Sequence, residues 1–251
     1  MSQISHNLNI SSTSRISSDT QFSQEVYVND YRENLIRVPF VEELDIDNKQ
    51  SRSSVRIYIK RFIDVTVALC VIVLIFSWFL PIIGILILME SQGPILFLQK
   101  RSGLNGEEFI CIKFRTMVYE KNAPFVQATS NDQRVTKMGM FLRKTNMDEL
   151  PQIFNVLWGT MTLVGPRPHP IPLDKQFMNV IPSYYLRNTV KPGITGWAQA
   201  SGYRGETREL IKMQKRIEYD VWYIENWSVW FDIKIILMTI KVTLVGDKNA
   251  Y

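Results

Sequence analysis

From Val65 to Met89 the chain carries 25 residues without a charge, and only Thr66, Ser77, Pro81 and Gly84 interrupt an otherwise apolar run. As a helix this run is about 38 Å long, more than the roughly 30 Å of a bilayer's hydrocarbon core. Such a segment must be placed in lipid or sheathed by protein. Pro81 cannot donate to the carbonyl of Ser77 and its ring crowds that turn, so a kink is expected about two thirds of the way along. Lys49, Arg52, Arg56, Lys60 and Arg61 precede the run and Lys100 and Arg101 follow it. With cations on both flanks, the positive-inside rule favours neither orientation. A kinked helix that returns to the face it left satisfies both flanks. A straight single-pass anchor and a buried helix of a soluble protein are the alternatives.

Residues 1 to about 50 are rich in Ser, Asn and Gln and have no sustained periodicity, the pattern of a segment that buries too little apolar surface to order itself. No apolar stretch follows Arg15 within the first thirty residues, so a secretory signal is not expected. The predicted organisation is a polar N-terminal extension over 1–55, a basic flank and membrane helix over 56–90, and a larger domain over 91–251. Cys70 and Cys111 form no CxxC or His/Cys cluster, and His6 and His169 are the only histidines. Disulfide frameworks, zinc sites and His dyads are therefore poor explanations. A net charge of +5 without a nucleic-acid motif argues against nucleic-acid binding.

Beyond the apolar run, Ile95 to Leu98 and Phe109 to Phe114 are short apolar stretches separated by Gly103, Asn105 and Gly106, which predicts a small hairpin. Between Lys100 and Lys144 nine Lys/Arg face four acids. That block fits a solvated or lipid-facing surface, or a phosphate site in which Arg115, Arg134 and Arg143 converge through bidentate guanidinium contacts. Phe141 to Trp158 reads as helical. Thr145 and Asp148 have capping-box spacing, and Pro151 is tolerable only in a helix's first turn. Asp148 and Glu149 then lie near a helix N-terminus, where backbone N–H groups favour anions and a carboxylate can hold a magnesium–phosphate complex. Adjacent acids at a helix start are also commonly just capping charges.

The motifs together say more than any one of them. Asp148-Glu149-Leu150-Pro151-Gln152, Asn155-Val156-Leu157, Gly165-Pro166-Arg167-Pro168 and KPGITGWAQ over Lys191–Gln199 follow KRFID at Lys60–Asp64 and KFRTM at Lys113–Met117. From about Lys60 to Val245 the chain resembles the bacterial sugar transferases, monotopic phosphoglycosyl transferases that begin lipid-linked glycan assembly. GYRGE at Gly202–Glu206 and YIENWS at Tyr223–Ser228 are most similar to the exopolysaccharide branch that transfers glucose or galactose 1-phosphate.

The resemblance implies an α+β, mostly helical fold, monotopic in the membrane, with a re-entrant helix kinked at Pro81, interfacial amphipathic helices and a small β-hairpin. It implies catalysis at the cytoplasmic face of the bacterial inner membrane. Asp148 takes the position that attacks the β-phosphate of a UDP-sugar, releasing UMP and leaving a covalent sugar phosphate, which undecaprenyl phosphate then accepts. This is the first membrane step of exopolysaccharide, capsule or O-antigen assembly. Glu149 is the partner carboxylate, and Mg2+ is the implied cofactor, contacting Asp148. Arg143 and Arg167 occupy motif positions suited to screening phosphate charge, and Arg115 and Arg134 match further ones. His169 is either a hydrogen-bond donor behind the site or a surface residue. UDP-sugar, undecaprenyl phosphate and membrane lipids are the implied partners. A non-catalytic scaffold with the same fold, or the same reaction with an N-acetylated or deoxy sugar, are the alternatives.

Two departures stand out. Many relatives carry an acid directly before Met161, where this chain has Thr160, which puts metal or nucleotide affinity in question. Some have Ser-Pro at the kink, where this chain has Leu80-Pro81. Trp222, Tyr223, Trp227, Trp230 and Phe231, with the apolar stretch that follows and its Lys234 and Lys241, predict an aromatic belt and an interfacial helix. Larger relatives of this branch carry membrane spans and a nucleotide-binding-like domain that nothing before Lys60 encodes, so a near-minimal catalytic unit is expected.

Overall fold

The computed structural model describes residues 54–121, 126–129, 132–203, 205 and 210–245. Residues 1–53 of the polar extension, and Arg204 and Glu206 of the GYRGE motif, lie outside the described residues, while residues 54 and 55 already belong to the first helix.

The apolar run is helical throughout. Helix α1 (Ser54–Val71) passes into a π-helical stretch at Ile72–Phe76 and then into α2 (Ser77–Glu90), which contains Pro81. A π turn and a proline are both established causes of a break in the α-helical ladder, and here they follow one another closely. The Trp78 indole N–H donates to the Leu74 carbonyl at 2.8 Å, so a polar ring atom and a main-chain acceptor satisfy each other on the exposed side. That matters where no water is available.

The combined helix from Val55 to Glu90 is long and apolar enough to cross a membrane, and only 28% of its most apolar window is buried. Ala68, Phe76, Ile83 and Ile87 form the inward stripe. On the other side Tyr58, Phe62, Leu74, Ile85 and Met89 are 59–80% exposed. So much exposed apolar surface on one helix marks a membrane-associated protein rather than the buried helix of a soluble one. Phe76 stacks on Phe114 at 6.2 Å between centroids and meets Phe154 edge-on at 5.3 Å. Burying that ring is worth about 2–3 kcal/mol, which fixes the helix on the rest of the domain.

The foot of α1 docks by polar contacts, and two of the basic flanking residues turn inwards. Lys60 Nζ donates to the Val164 carbonyl at 2.9 Å and pairs with Asp232, while Arg61 donates to the Val156 and Leu157 carbonyls at 2.6 and 2.7 Å. Asp64 accepts from the Thr162 hydroxyl at 2.7 Å and the Leu163 N–H at 3.0 Å. The KRFID motif is thus the seam between the apolar helix and the polar domain.

The expected hairpin is present. Strands β1 (Leu96–Ser102) and β2 (Glu108–Phe114) pair antiparallel with Leu96 opposite Phe114 and Ser102 opposite Glu108. Between them Asn105 (φ 54°) and Gly106 (φ 79°) adopt left-handed backbone, which Asn and Gly accept most readily.

The helix expected over Phe141–Trp158 is two. Helix α3 (Lys137–Lys144) ends at Thr145, Asn146 reverses the chain at φ 56°, Met147–Glu149 form a 3-10 turn, and α4 (Gln152–Trp158) follows. The capping box does not form, because the Thr145 hydroxyl donates back to the Phe141 and Leu142 carbonyls at 2.9 and 3.2 Å. Thr136 caps α3 instead, accepting from the Gly139 N–H at 2.9 Å.

Two three-residue strands, β3 (Thr162–Val164) and β4 (Gly193–Thr195), pair in parallel. A side chain at Gly193 would place its Cβ 2.1 Å from the Gly165 nitrogen, and one at Gly196 would come 2.2 Å from the Gly165 carbonyl oxygen. The glycines of KPGITG are what allow that segment to lie against Gly165-Pro166-Arg167-Pro168.

Helix α5 (Ile171–Phe177), a 3-10 stretch at Tyr184–Thr189, the single turn α6 (Trp197–Ala200), and helices α7 (Leu210–Glu225) and α8 (Val229–Val245) complete the fold. The aromatic group is divided. Tyr223 is buried with its hydroxyl on Asp232 at 2.7 Å, and the Trp227 indole donates to Asp232 at 3.1 Å. Trp222 and Trp230 remain exposed, as do Leu237 and Ile240 of α8.

Candidate active site

The break between α3 and α4 builds the site. Left-handed Asn146 swings the chain so that Asp148 and Glu149 occupy one tight turn, tied to α4 by hydrogen bonds from Leu150 N–H to Met147 and from Ile153 N–H to Leu150. Pro151 opens α4 at φ −61°, a place where its missing N–H costs nothing. Both carboxylates are 12–14% exposed.

Their surroundings separate them. Arg167 donates to both oxygens of Glu149, through one nitrogen at 2.8 Å and through the other by a shorter bond. Lys113 Nζ also donates to Glu149, at 2.6 Å. Among the described residues the Asp148 carboxylate has Lys113 at 4.0 Å as its ionic partner, and no donor hydrogen-bonds it. Burial raises Glu149, but the charges of Arg167 and Lys113 and their hydrogen bonds win and hold it well below the usual carboxylate range. For Asp148 burial dominates and, with the neighbouring Glu149 charge, holds its pKa above the ordinary value, against the pull of Lys113, Arg167 and Arg143.

Of the residues singled out from the sequence, the fold brings together Asp148, Glu149, Arg167 and Arg143. Arg143 projects from the last turn of α3, anchored by its Nε on the Thr116 hydroxyl at 2.9 Å, and its charge acts on Asp148. Arg115 and Arg134 are engaged elsewhere. The buried Arg115 guanidinium donates to the Gln92 and Ser91 carbonyls at 2.5 and 2.6 Å, closing the end of α2. Arg134 grips Asp132 through two bonds of 2.9 and 2.6 Å. Pro81 lies within α2, in the apolar segment. Thr160 sits in the turn after α4, its hydroxyl on the Asn155 carbonyl at 3.2 Å. His169 is buried, with Nδ1 2.6 Å from the Tyr184 hydroxyl.

Sequence reasoning passed over two cations here. Lys113, quoted above only as part of KFRTM, bridges the carboxylate pair. Arg101 of β1 is buried, donates to the Pro168 carbonyl at 2.7 Å, and its charge is felt by Asp148 and Glu149. Neither had a local signal beyond being a cation in a basic block.

Among the described residues no three His, Cys, Asp or Glu side chains group as a metal cage. Magnesium does not need such a cage: it usually binds one or two carboxylates and completes its shell with water and substrate phosphate oxygens. Asp148, whose oxygens take no hydrogen bond among the described residues, has the donor chemistry for that role.

A carboxylate pair set among Arg101, Lys113, Arg143 and Arg167, in a domain seated on a largely exposed apolar helix, defines a membrane-associated protein with a polar site built to receive anions. The chain belongs to the bacterial sugar transferase family, which it matches over residues 55–246. It is 50% identical over 200 residues to the UDP-glucose:undecaprenyl-phosphate glucose-1-phosphate transferase of Escherichia coli K12, covering 79% of this chain and 43% of that protein. A protein of the same name from Caulobacter vibrioides is 45% identical over 193 residues, 76% of this chain and 72% of the relative. The UDP-N-acetylgalactosamine-undecaprenyl-phosphate N-acetylgalactosaminephosphotransferase of Aeromonas hydrophila is 41% identical over 196 residues, 77% of this chain and 45% of the relative. The chain therefore spans less than half the length of two of these three relatives.

Proposed function

We propose that this chain is a phosphoglycosyl transferase that moves a hexose 1-phosphate, glucose 1-phosphate first among the candidates, from a UDP-sugar to undecaprenyl phosphate. The observation that carries the reading is the unequal treatment of the two carboxylates: Glu149 is immobilised by Arg167 and Lys113, while among the described residues no donor hydrogen-bonds Asp148 beside it. The names of the relatives support the donor and the acceptor.

In this mechanism an Asp148 carboxylate oxygen attacks the β-phosphorus of the UDP-sugar. The bond from that phosphorus to the bridging oxygen breaks, and UMP leaves with the electron pair. A phosphate oxygen of the polyprenyl phosphate then attacks the same phosphorus and expels Asp148 as a carboxylate, giving polyprenyl diphosphate sugar. Attack of an anion on a diphosphate requires charge screening before orientation can help. Arg143, Arg167, Arg101 and Lys113 supply four cations against the two carboxylates, a surplus suited to bound phosphates. Glu149 holds Arg167 and Lys113 in place rather than exchanging a proton, since they keep it ionised. Mg2+, held by Asp148 and the diphosphate, would neutralise charge on the transferring group.

The same reading places the reaction at the cytoplasmic face of the inner membrane, with α1 and α2 entering and leaving one leaflet and α8 lying at the interface. The exposed Trp222, Trp230 and Leu237 support the interfacial helix.

The test is UMP release by detergent-purified protein given magnesium, undecaprenyl phosphate and a panel of UDP-sugars, with Asp148→Asn as control. Lipid-dependent release with one donor, abolished in the control, is expected. Turnover by Asp148→Asn near that of the wild type removes the nucleophile assignment, and failure of every donor favours a scaffold.

A further inference from the structure

Behind the candidate site, four successive carbonyls are held by donors from separate parts of the chain. The Pro166 oxygen accepts from the Gly193 N–H at 2.9 Å, the Arg167 oxygen from the Arg187 guanidinium, the Pro168 oxygen from Arg101 at 2.7 Å, and the His169 oxygen from the Ser102 N–H at 3.3 Å. Of these donors Arg187 alone reaches the main chain of Arg167 itself. It is also tied to α7, since its Nε and one terminal nitrogen meet Asp220 at 3.3 and 3.1 Å. Its other terminal nitrogen lies against His169 Nδ1, which the Tyr184 hydroxyl also approaches.

This is a costly arrangement for an ordinary loop tether. The side chains of Arg187 and Asp220 are each 2% exposed, so both charges are removed from water. Pro166 and Pro168 fix their own φ, and Pro168 also holds Arg167 in the extended region, so hydrogen bonds set the peptide planes beside Arg167 only within that narrowed range. The direction in which the Arg167 side chain leaves the backbone depends on those planes. Its guanidinium must then meet both oxygens of Glu149, and a misplacement of about 1 Å is enough to cost on the order of 100-fold in rate.

We propose that Arg187 is a positioning residue of the transfer site: anchored on Asp220 of α7, it fixes the Arg167 carbonyl and thereby the placement of the Arg167 guanidinium on Glu149. This rests on the reading of Asp148 and Glu149 as the transfer centre. It makes α7, which supplies none of the carboxylates or cations of the site, part of what holds the site's geometry.

Two variants test it without leaving either member of the Arg187–Asp220 pair charged opposite a neutral partner. Arg187→Lys keeps a cation opposite Asp220 but cannot serve the carbonyl, His169 and Asp220 together. Arg187→Gln combined with Asp220→Asn removes both charges. Hydrogen exchange of the peptide spanning residues 161–173 and single-turnover UMP release are measured on each, alone and with Arg167→Ala. The expected results are exchange at least tenfold faster in that peptide with the melting temperature of the fold retained, and UMP release reduced 10- to 100-fold. In the Arg167→Ala background the same changes should cost less than threefold, because the group they position is gone. Unchanged exchange, or losses that multiply in the double variants as they would for a general structural role, overturn the proposal. If the wild type releases no UMP the transfer reading fails, and the exchange measurement alone then decides whether Arg187 fixes the Arg167 segment.

Discussion

Arg167 meets Glu149 as a two-pronged fork, one guanidinium nitrogen on each carboxylate oxygen, across a separation of 18 residues. The contact joins the turn before α4 to the loop after β3, and it turns one member of an adjacent acid pair into a fixed counter-ion. The other acid is the proposed nucleophile.

A lysine cannot reproduce that fork. Arg167→Lys keeps the charge but loses the bidentate geometry, so kcat/KM for the donor should fall by about 10- to 100-fold, equivalent to roughly 1.4–2.7 kcal/mol of transition-state stabilisation. Steady-state kinetics on folded protein check this. An unchanged kcat/KM would make the contact a structural one.

Lys113 bridges the two acids, so removing it should affect catalysis more than folding. Lys113→Met fills the same space without charge, and UMP release should drop by about 100-fold, a loss typical of removing one preorganised electrostatic contact. Circular dichroism and single-turnover assays on the same preparation separate the two effects. Full activity in Lys113→Met would mean that Arg167 alone screens Glu149.

Arg115 should behave in the opposite way. Its guanidinium satisfies carbonyls at the end of α2, and Arg115→Ala leaves them without partners at a cost of about 1–3 kcal/mol. The expected phenotype is a lower melting temperature with near-normal donor KM in the folded fraction. A selective rise in donor KM at unchanged stability would return Arg115 to the phosphate site.

Burial, followed by the charges of Arg187, Arg216, Arg101 and Arg167, holds His169 well below its ordinary value of 6.5. Its folded pKa is depressed, so the unfolded chain takes up the proton first and stability falls as pH drops below about 6.5. The slope attributable to this group approaches about 1.4 kcal/mol per pH unit. Denaturant unfolding from pH 7.5 to 5 on wild type and His169→Gln measures it. Parallel curves would mean that His169 titrates alike in both states.

Topology has its own test. With Cys70→Ser as background and Cys111 buried, Arg56→Cys and Lys100→Cys should be labelled from the same side of the membrane by an impermeant thiol reagent. Labelling from opposite sides would mean that the apolar helix spans the bilayer.

Much of the architecture is legible residue by residue. An uncharged run of this length dictates an apolar helix wherever it occurs, Asn105-Gly106 between apolar stretches dictates a hairpin, and Pro151 dictates a helix start. These outcomes depend on neighbours a few positions away. The helix drawn through Phe141–Trp158 misread the one place where local signals competed: helical residues on both sides of Asn146 concealed a left-handed reversal, and Thr145 had carbonyls behind it as well as amides ahead.

The roles of the cations were not legible in that way. Arg115, Arg134, Arg143 and Arg167 are the same side chain in similarly basic surroundings, yet one closes the end of α2, one grips Asp132, one leans on Thr116 toward Asp148, and one holds Glu149. By itself the sequence determined that this chain has an apolar helix, a hairpin and an acid pair at a helix start. Which guanidinium serves the acids was decided only when Gly193 and Gly196 allowed the KPGITG segment to press against Gly165, bringing the Arg167 loop within reach of Glu149. A contact of that kind depends on backbone segments nearly thirty residues apart meeting at about 3 Å, and no local propensity encodes it.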